Sequence, residues 1–182
     1  LMLAFIMLFP TMVACDGGET ETTQPETTEA IVEETEAPAP SSIKLTEGNK
    51  ALYTIVRPDE AEKAVFDLSK NIAEDLKTAT GLDFKQTTDF IGWNTVRDPE
   101  AYEILLGFTN YDETAEVMKD LKYFDYAVVV RGHKIIITAY TETTLKKAIT
   151  YFRNNMLPLI AQGEDGDYTI DIFDDYIYRG KY

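Results

Sequence analysis

The side chains able to do chemistry in this chain are few and scattered. Among 182 residues there is one cysteine, Cys15, and one histidine, His133. A lone thiol forms no internal disulfide, and a lone imidazole excludes the clustered histidines of most zinc sites. Adjacent acids occur at Glu74-Asp75 and Asp174-Asp175. Paired carboxylates can serve as acid and base at a glycosidic bond, but in so acidic a chain neighbouring acids are expected to be a solvated face. The run Glu164-Asp165-Gly166-Asp167 lacks the regular ligand spacing and the bidentate Glu of an EF-hand, so only opportunistic Ca²⁺ binding is open to it. His133 is expected to be an exposed polar residue on a turn. No G-x-S-x-G, H-E-x-x-H, P-loop, C-x-x-C or G-x-G-x-x-G pattern supplies a nucleophile, metal ligand or phosphate cradle. The expectation is therefore a chain with no catalytic residues, no metal and no cofactor.

Charge narrows the partners. Seventeen Lys and Arg stand against 32 Asp and Glu, a formal net charge of -15. Phosphate backbones are bound through Lys and Arg with release of counterions, so nucleic acid is excluded as a partner and a bare anionic lipid surface is repelled. The charge is uneven: residues 1–42 hold eight acidic residues and no basic one, leaving 24 acidic and 17 basic in residues 43–182.

The sequence LMLAFIMLFPTMVA (residues 1–14) is free of charge. It is shorter than the roughly 20 residues of a spanning helix but fits the about 7 to 15 of a signal-peptide core. No Met with Lys or Arg precedes Leu1, and the expectation is a missing true start or initiation at Met2. The stretch ends in Met12-Val13-Ala14-Cys15, which resembles the lipobox of bacterial lipoproteins, with Met12 in place of the usual Leu. The resemblance implies that Cys15 carries diacylglycerol as the mature N-terminus, placing the protein outside the cytoplasm on the bacterial cell membrane. Two or more acyl chains anchor stably where one does not. The bland alternative is a free or buried thiol.

Residues 16–42, DGGETETTQPETTEAIVEETEAPAPSS, hold only Ile31 and Val32 as large apolar residues. Such a segment cannot build a core. Repelling Glu side chains and Pro residues make it a semi-extended tether, about 90 Å long if fully drawn out.

The folded part is expected in residues 43–182. Ala51–Val56 reads as a strand, followed by a helix over residues 59–79 whose Ala61, Val65, Leu68, Ile72, Leu76 and Ala79 recur at spacings of three and four, with Pro58-Asp59 at its start and Gly81 as its C-cap. Leu82–Gln86 and Tyr102–Leu106 read as strands. Between them lies a loop in which Phe90, Ile91 and Trp93 are large and apolar. Such residues either pack against a core edge or stand exposed for binding. Packing is the expectation, with Trp93 the candidate carbohydrate contact if the loop is exposed. A short helix is expected over residues 112–121. Tyr126–Val130 and Lys134–Ala139 form a hairpin through a type II′ turn with Gly132 at its first central position. That register opposes Val130 to Ile135, Val128 to Ile137, and Arg131 to Lys134, the last a repulsion at an exposed end. A helix over residues 141–157, a strand over 168–173 and an aromatic run Tyr176–Tyr182 complete the chain. The run suits a final strand better than a sugar-stacking surface. The fold class is α+β, an α/β sandwich of a mixed sheet with helices mainly on one face.

The segment Tyr102-Glu103-Ile104-Leu105-Leu106-Gly107-Phe108-Thr109-Asn110 and the later YAVVVRGHKIIITA followed by TLKKAITYF resemble the non-catalytic α/β domain that precedes the barrel of family 20 and family 67 glycoside hydrolases, the chitobiase second-domain type. The resemblance spans roughly residues 50–160. It implies an accessory domain beside a catalytic barrel that carries the carboxylates. A barrel needs about 250 residues, and only some 20 follow the last helix. The expected function is thus a membrane-anchored extracytoplasmic lipoprotein with a non-catalytic, carbohydrate-associated domain that binds or spaces. The alternative is the N-terminal piece of a larger hydrolase, and a downstream catalytic domain or a glycan is the expected partner.

Overall fold

The computed structural model describes residues 42–172 and 175–181. Cys15 and the tether up to residue 41 lie outside the described residues, as does Asp174.

Eleven strands and three α-helices are seen among these residues. The main sheet has six strands in the order β11 (Ile177–Lys181), β7 (Asp125–Arg131), β8 (Lys134–Ala139), β6 (Glu103–Leu106), β4 (Thr54–Arg57) and β5 (Lys85–Thr88). The pairs β8–β6, β6–β4 and β4–β5 are parallel, whereas β7 runs antiparallel to both β8 and β11. The carboxyl ends of five strands, β11, β8, β6, β4 and β5, therefore share one pole of the sheet, together with the start of β7. We call it the carboxyl pole.

One face of the sheet is covered by α1 (Lys63–Thr80) and α3 (Glu142–Asn155). Leu68, Ile72 and Leu76 of the first and Leu145, Ile149 and Phe152 of the second close on Ile55, Ile104, Leu106, Ile135 and Ile137. The alternate strand residues, Val56, Leu105, Ala127, Val129 and Ile136, face the other way. They meet Val117, Met118 and Leu121 of and beyond the short α2 (Asp112–Lys119). The period of two along each strand puts both sets in cores, and each buried Ile or Leu contributes about 1.5–3 kcal/mol. A mixed sheet with two of three helices on one face is the fold expected from the pattern.

The second sheet is small. β1 (Ser42–Lys44), β10 (Tyr168–Asp171) and β9 (Ile160–Gln162) pair antiparallel, with Ile43 opposite Ile170. The strand expected near residue 168 belongs here and not to the main sheet, whose edge is formed by the aromatic run 177–181 instead. A hairpin of β2 (Thr46–Glu47) and β3 (Lys50–Ala51) lies between β1 and β4.

The local signals fared unevenly. The β7–β8 register is as expected, Val130 opposite Ile135 and Val128 opposite Ile137, across Gly132 at φ +50. Gly81 ends α1 in the left-handed region, its N–H donating to Lys77 O at 2.7 Å. Thr141 caps α3 in a reciprocal box with Thr144. The expected strand Ala51–Val56 is split, Ala51 ending β3 and Thr54–Arg57 forming β4 in a different sheet, and two starts lie later than the pattern implied. α1 begins at Lys63, because the Asp59 N–H is taken by the Asp89 carboxylate at 2.8 Å and the chain turns once before the helix starts. β5 begins at Lys85, because Thr80 Oγ1 still accepts from the Leu82 N–H at the helix end.

Candidate functional site

Two side chains build the carboxyl pole. Asp89, buried just after β5, accepts from Asp59 N at 2.8 Å with one carboxylate oxygen and from Asn110 N at 2.7 Å with the other. One side chain thus ties together the segments leaving β4, β5 and β6. Arg97 closes the loop that follows. Its guanidinium donates to Asp89 O at 2.8 Å and to Asn110 O at 2.9 Å, and it lies 3.8 Å over the Tyr111 ring. A cation over an aromatic face adds to the clamp.

Between these anchors the chain bulges outward. Asn94 takes a left-handed φ of +68, and Trp93 is 99% exposed, with Phe90, Ile91 and Val96 also open to solvent. This overturns the expected packing of the loop. Arg97 and Asp89 pin its ends by polar bonds, so the apolar residues are not needed to hold it down.

The rim continues along the pole. Phe108 follows β6, Tyr140 follows β8, and Tyr123 and Phe124 precede β7; all are exposed. Phe108 and Tyr140 have centroids 6.4 Å apart, and Tyr123 meets Phe124 edge-on at 5.1 Å. The Tyr140 hydroxyl is held by Met118 O at 3.0 Å. Cavities flank the loop on both sides: one of about 490 Å³ between Pro58, Asp89, Phe90 and Asn110, another of about 420 Å³ between Val96, Arg97, Tyr111 and Lys134. In open α/β sheets, ligands sit outside the carboxyl ends of the strands where the strand order reverses. Here that point lies between β4 and β6.

Below the second cavity is a charged network that the sequence did not disclose. Lys134 is 3% exposed, not the exposed end of a hairpin. Its ammonium donates to Glu103 Oε2 at 2.8 Å and Ala101 O at 2.6 Å, while Tyr111 donates to Glu103 Oε1 at 2.9 Å. Burial, then the Glu103 bond, holds the Tyr111 phenol well above its ordinary range. Arg131, its register partner, turns away to Glu116 at 2.8 Å. Every donor here is satisfied within the protein, and the network braces the sheet against α2.

The remaining candidates are not brought together. Asp75 pairs with Arg153 at 2.5 Å. Asp167 accepts from Lys44 at 2.8 Å, and Asp165 accepts from the Asp167 N–H at 3.1 Å, so the acidic loop serves its own geometry. His133 is on its turn but stacks on Tyr102 at 4.1 Å, with Nδ1 2.8 Å from Glu100 O. Tyr176 and Tyr178 of the C-terminal run pack against Tyr151. Among the described residues no group of His, Cys, Asp and Glu is arranged to hold a metal ion, and no helix is long and apolar enough to cross a membrane.

No family model matches the chain, and no curated protein matches it. Solved structures do. CpGH84D, a chain of glycoside hydrolase family 84, matches 73% of this chain at 15% identity and a TM-score of 0.43. The chitobiase FjGH20 of Flavobacterium johnsoniae matches 72% at 19% identity and a TM-score of 0.39. A mutant β-hexosaminidase of Streptomyces plicatus, in complex with the product GlcNAc, matches 75% at 16% identity and a TM-score of 0.40. This chain spans only 21%, 18% and 23% of those three chains.

Proposed function

We propose that the chain is a non-catalytic, carbohydrate-associated module of an extracytoplasmic lipoprotein, and that it binds glycans through its carboxyl pole. The observation that carries this reading is the exposed aromatic rim running from Phe90 and Trp93 to Phe108 and Tyr140. Aromatic rings offer flat apolar faces to sugar rings at little entropic cost, and exposed apolar surface of this extent marks interaction sites. The leader, its lipobox-like end at Cys15 and the acidic tether support a surface location, with the tether as spacer.

Asp89, the buried acid at this pole, is engaged in structural bonds. A second reading, docking of the same rim onto a catalytic domain, is favoured by Ile91 and Val96, which have no ring to stack on a sugar. A glycan array probed with the wild-type chain and with Trp93→Ala and Phe108→Ala, beside an aryl-glycoside assay, tests the proposal. Glycan binding lost in both variants supports it. Glycoside turnover that survives repurification overturns the non-catalytic part, and absence of any glycan binding leaves the docking reading in its place.

A further inference from the structure

The exposed rings of the carboxyl pole follow the order of the strands. Tyr123 and Phe124 precede β7, Tyr140 follows β8, Phe108 follows β6 and Phe90 follows β5, while the sheet runs β7, β8, β6, β4, β5 in that direction. Neighbouring strands lie about 4.8 Å apart, so the four steps from β7 to β5 set the outermost strand ends roughly 19 Å apart.

The hollows between these rings adjoin. One of about 330 Å³ lies between Tyr123, Phe124, Thr141 and Thr143. The next, of about 220 Å³, is also walled by Thr141 and is lined by Tyr140, Phe108, Val65 and Pro58. Pro58 in turn walls the cavity of about 490 Å³ that reaches Phe90 and Ile91, where the loop carrying Trp93 begins. The three hollows therefore stand in a row across the ends of five strands, each sharing a wall with the next and each having an aromatic ring at its side.

Charge along this groove has one sign. Asp59, Glu60 and Glu142 line it, and among the described residues no Lys, Arg or His does. Glu142 pairs with Lys146, but Asp59 and Glu60 are exposed at the Phe90 end. Arg57, beside Pro58, turns its guanidinium to the Pro58 carbonyl at 3.0 Å and to the Phe66 ring at 4.9 Å. The lining thus repels an acidic ligand, as does the net charge of -15.

We propose that this groove holds one linear polysaccharide chain free of acidic groups, its successive sugars stacked along the row of rings. A single terminal sugar occupies one hollow and leaves the others unused. The translational and rotational cost of association is met once per chain, so each further stacked sugar adds affinity until the row is filled. The proposal rests on the glycan reading given above and names the class of glycan.

The test is calorimetric titration of the full chain with the disaccharide and the hexasaccharide of the cello-, manno-, xylo- and N-acetylglucosamine series, beside a galacturonic acid hexasaccharide as acidic control. In at least one neutral series the hexasaccharide is expected to bind about tenfold or more tighter than the disaccharide, the gain from stacking further rings. Phe90→Ala and Phe124→Ala remove exposed rings at opposite ends of the groove. Each should weaken the hexasaccharide about three- to tenfold, and the double variant should bring it close to the disaccharide. Equal affinity for the two lengths in every series that binds overturns the proposal and leaves the glycan reading standing. Hexasaccharide binding untouched by both substitutions, or tighter binding of the galacturonic acid chain than of any neutral one, does the same. Binding of no oligosaccharide at either length removes the glycan reading and the proposal with it.

Discussion

Tyr126 of β7 lies across Gly180 of β11, its register partner, so closely that a Cβ built on Gly180 would stand 2.1 Å from Tyr126 Cζ. The absent side chain is what lets the ring lie over the edge strand, where burial and then a bond to Tyr178 push its phenol up to about 12. Gly180→Ala should force the ring off and cost about 1–3 kcal/mol, the usual penalty of overpacking. Urea denaturation checks this, and the same substitution in a Tyr126→Ala background should cost markedly less.

The Glu103–Lys134 pair predicts an asymmetric response. Removing one partner leaves a buried charge uncompensated, so Glu103→Leu should cost about 3–5 kcal/mol. Glu103→Leu with Lys134→Met removes both charges and should recover much of that loss. Equal destabilisation by the single and double variants, read from denaturant midpoints, would refute the assignment of the network as a bracing pair.

Acid should act partly through Asp167. The Lys44 bond, then the Gly48 N–H at 2.6 Å, holds its carboxyl below the ordinary 3.8. A group whose pKa falls on folding stabilises above its unfolded value and loses that contribution as pH drops through its folded value. Asp167→Asn should therefore be less stable than wild type at neutral pH, with the gap closing below about pH 3.8. Melting temperatures of both proteins across that range check the sign.

Trp93 is the sole tryptophan, and at 99% exposure its emission in the folded protein should match that of water-exposed indole and change little on unfolding. Acrylamide should quench it fully in the native state. Trp93→Ala should shift stability by no more than about 0.5 kcal/mol. A blue-shifted native emission would mean that the loop is packed down after all.

Cys15→Ala should move the protein from the membrane fraction to the soluble one if the cysteine bears the lipid, and unchanged membrane association would rule out that anchor.

How legible each feature was depended on how far apart its partners lie in the chain. The β7–β8 register follows from a turn glycine and alternation within fourteen residues, 126–139, and it was read correctly. The α1 stripe and its Gly81 cap are equally local. The β1–β10 pairing, Ser42 opposite Asp171, joins segments whose sequences carry no mutual signal. The burial of Lys134 could not be read from a KIIIT run, because its counter-ion Glu103 sits on another strand. Exposure of Trp93 was misjudged for a related reason: the loop is held by Arg97 reaching Asp89 and Asn110, contacts that composition does not announce. The buried hydroxyl of Tyr53, without a hydrogen-bond partner among the described residues, has no sequence signature, since the ALYTIV run reads as an ordinary buried strand.

The placement of β1 sets the point where the preceding chain attaches apart from the aromatic rim. Ser42 lines one cavity with Tyr53, Tyr102 and His133, which each stand one residue ahead of β4, β6 and β8, and the aromatic rim stands at the far pole of the same strands. Traction through the chain before Ser42 is delivered to β1 and, through Ile43 opposite Ile170, to β10. The first structure to yield would be the small three-stranded sheet, a mechanical fuse that can open while the six-stranded sheet stays folded.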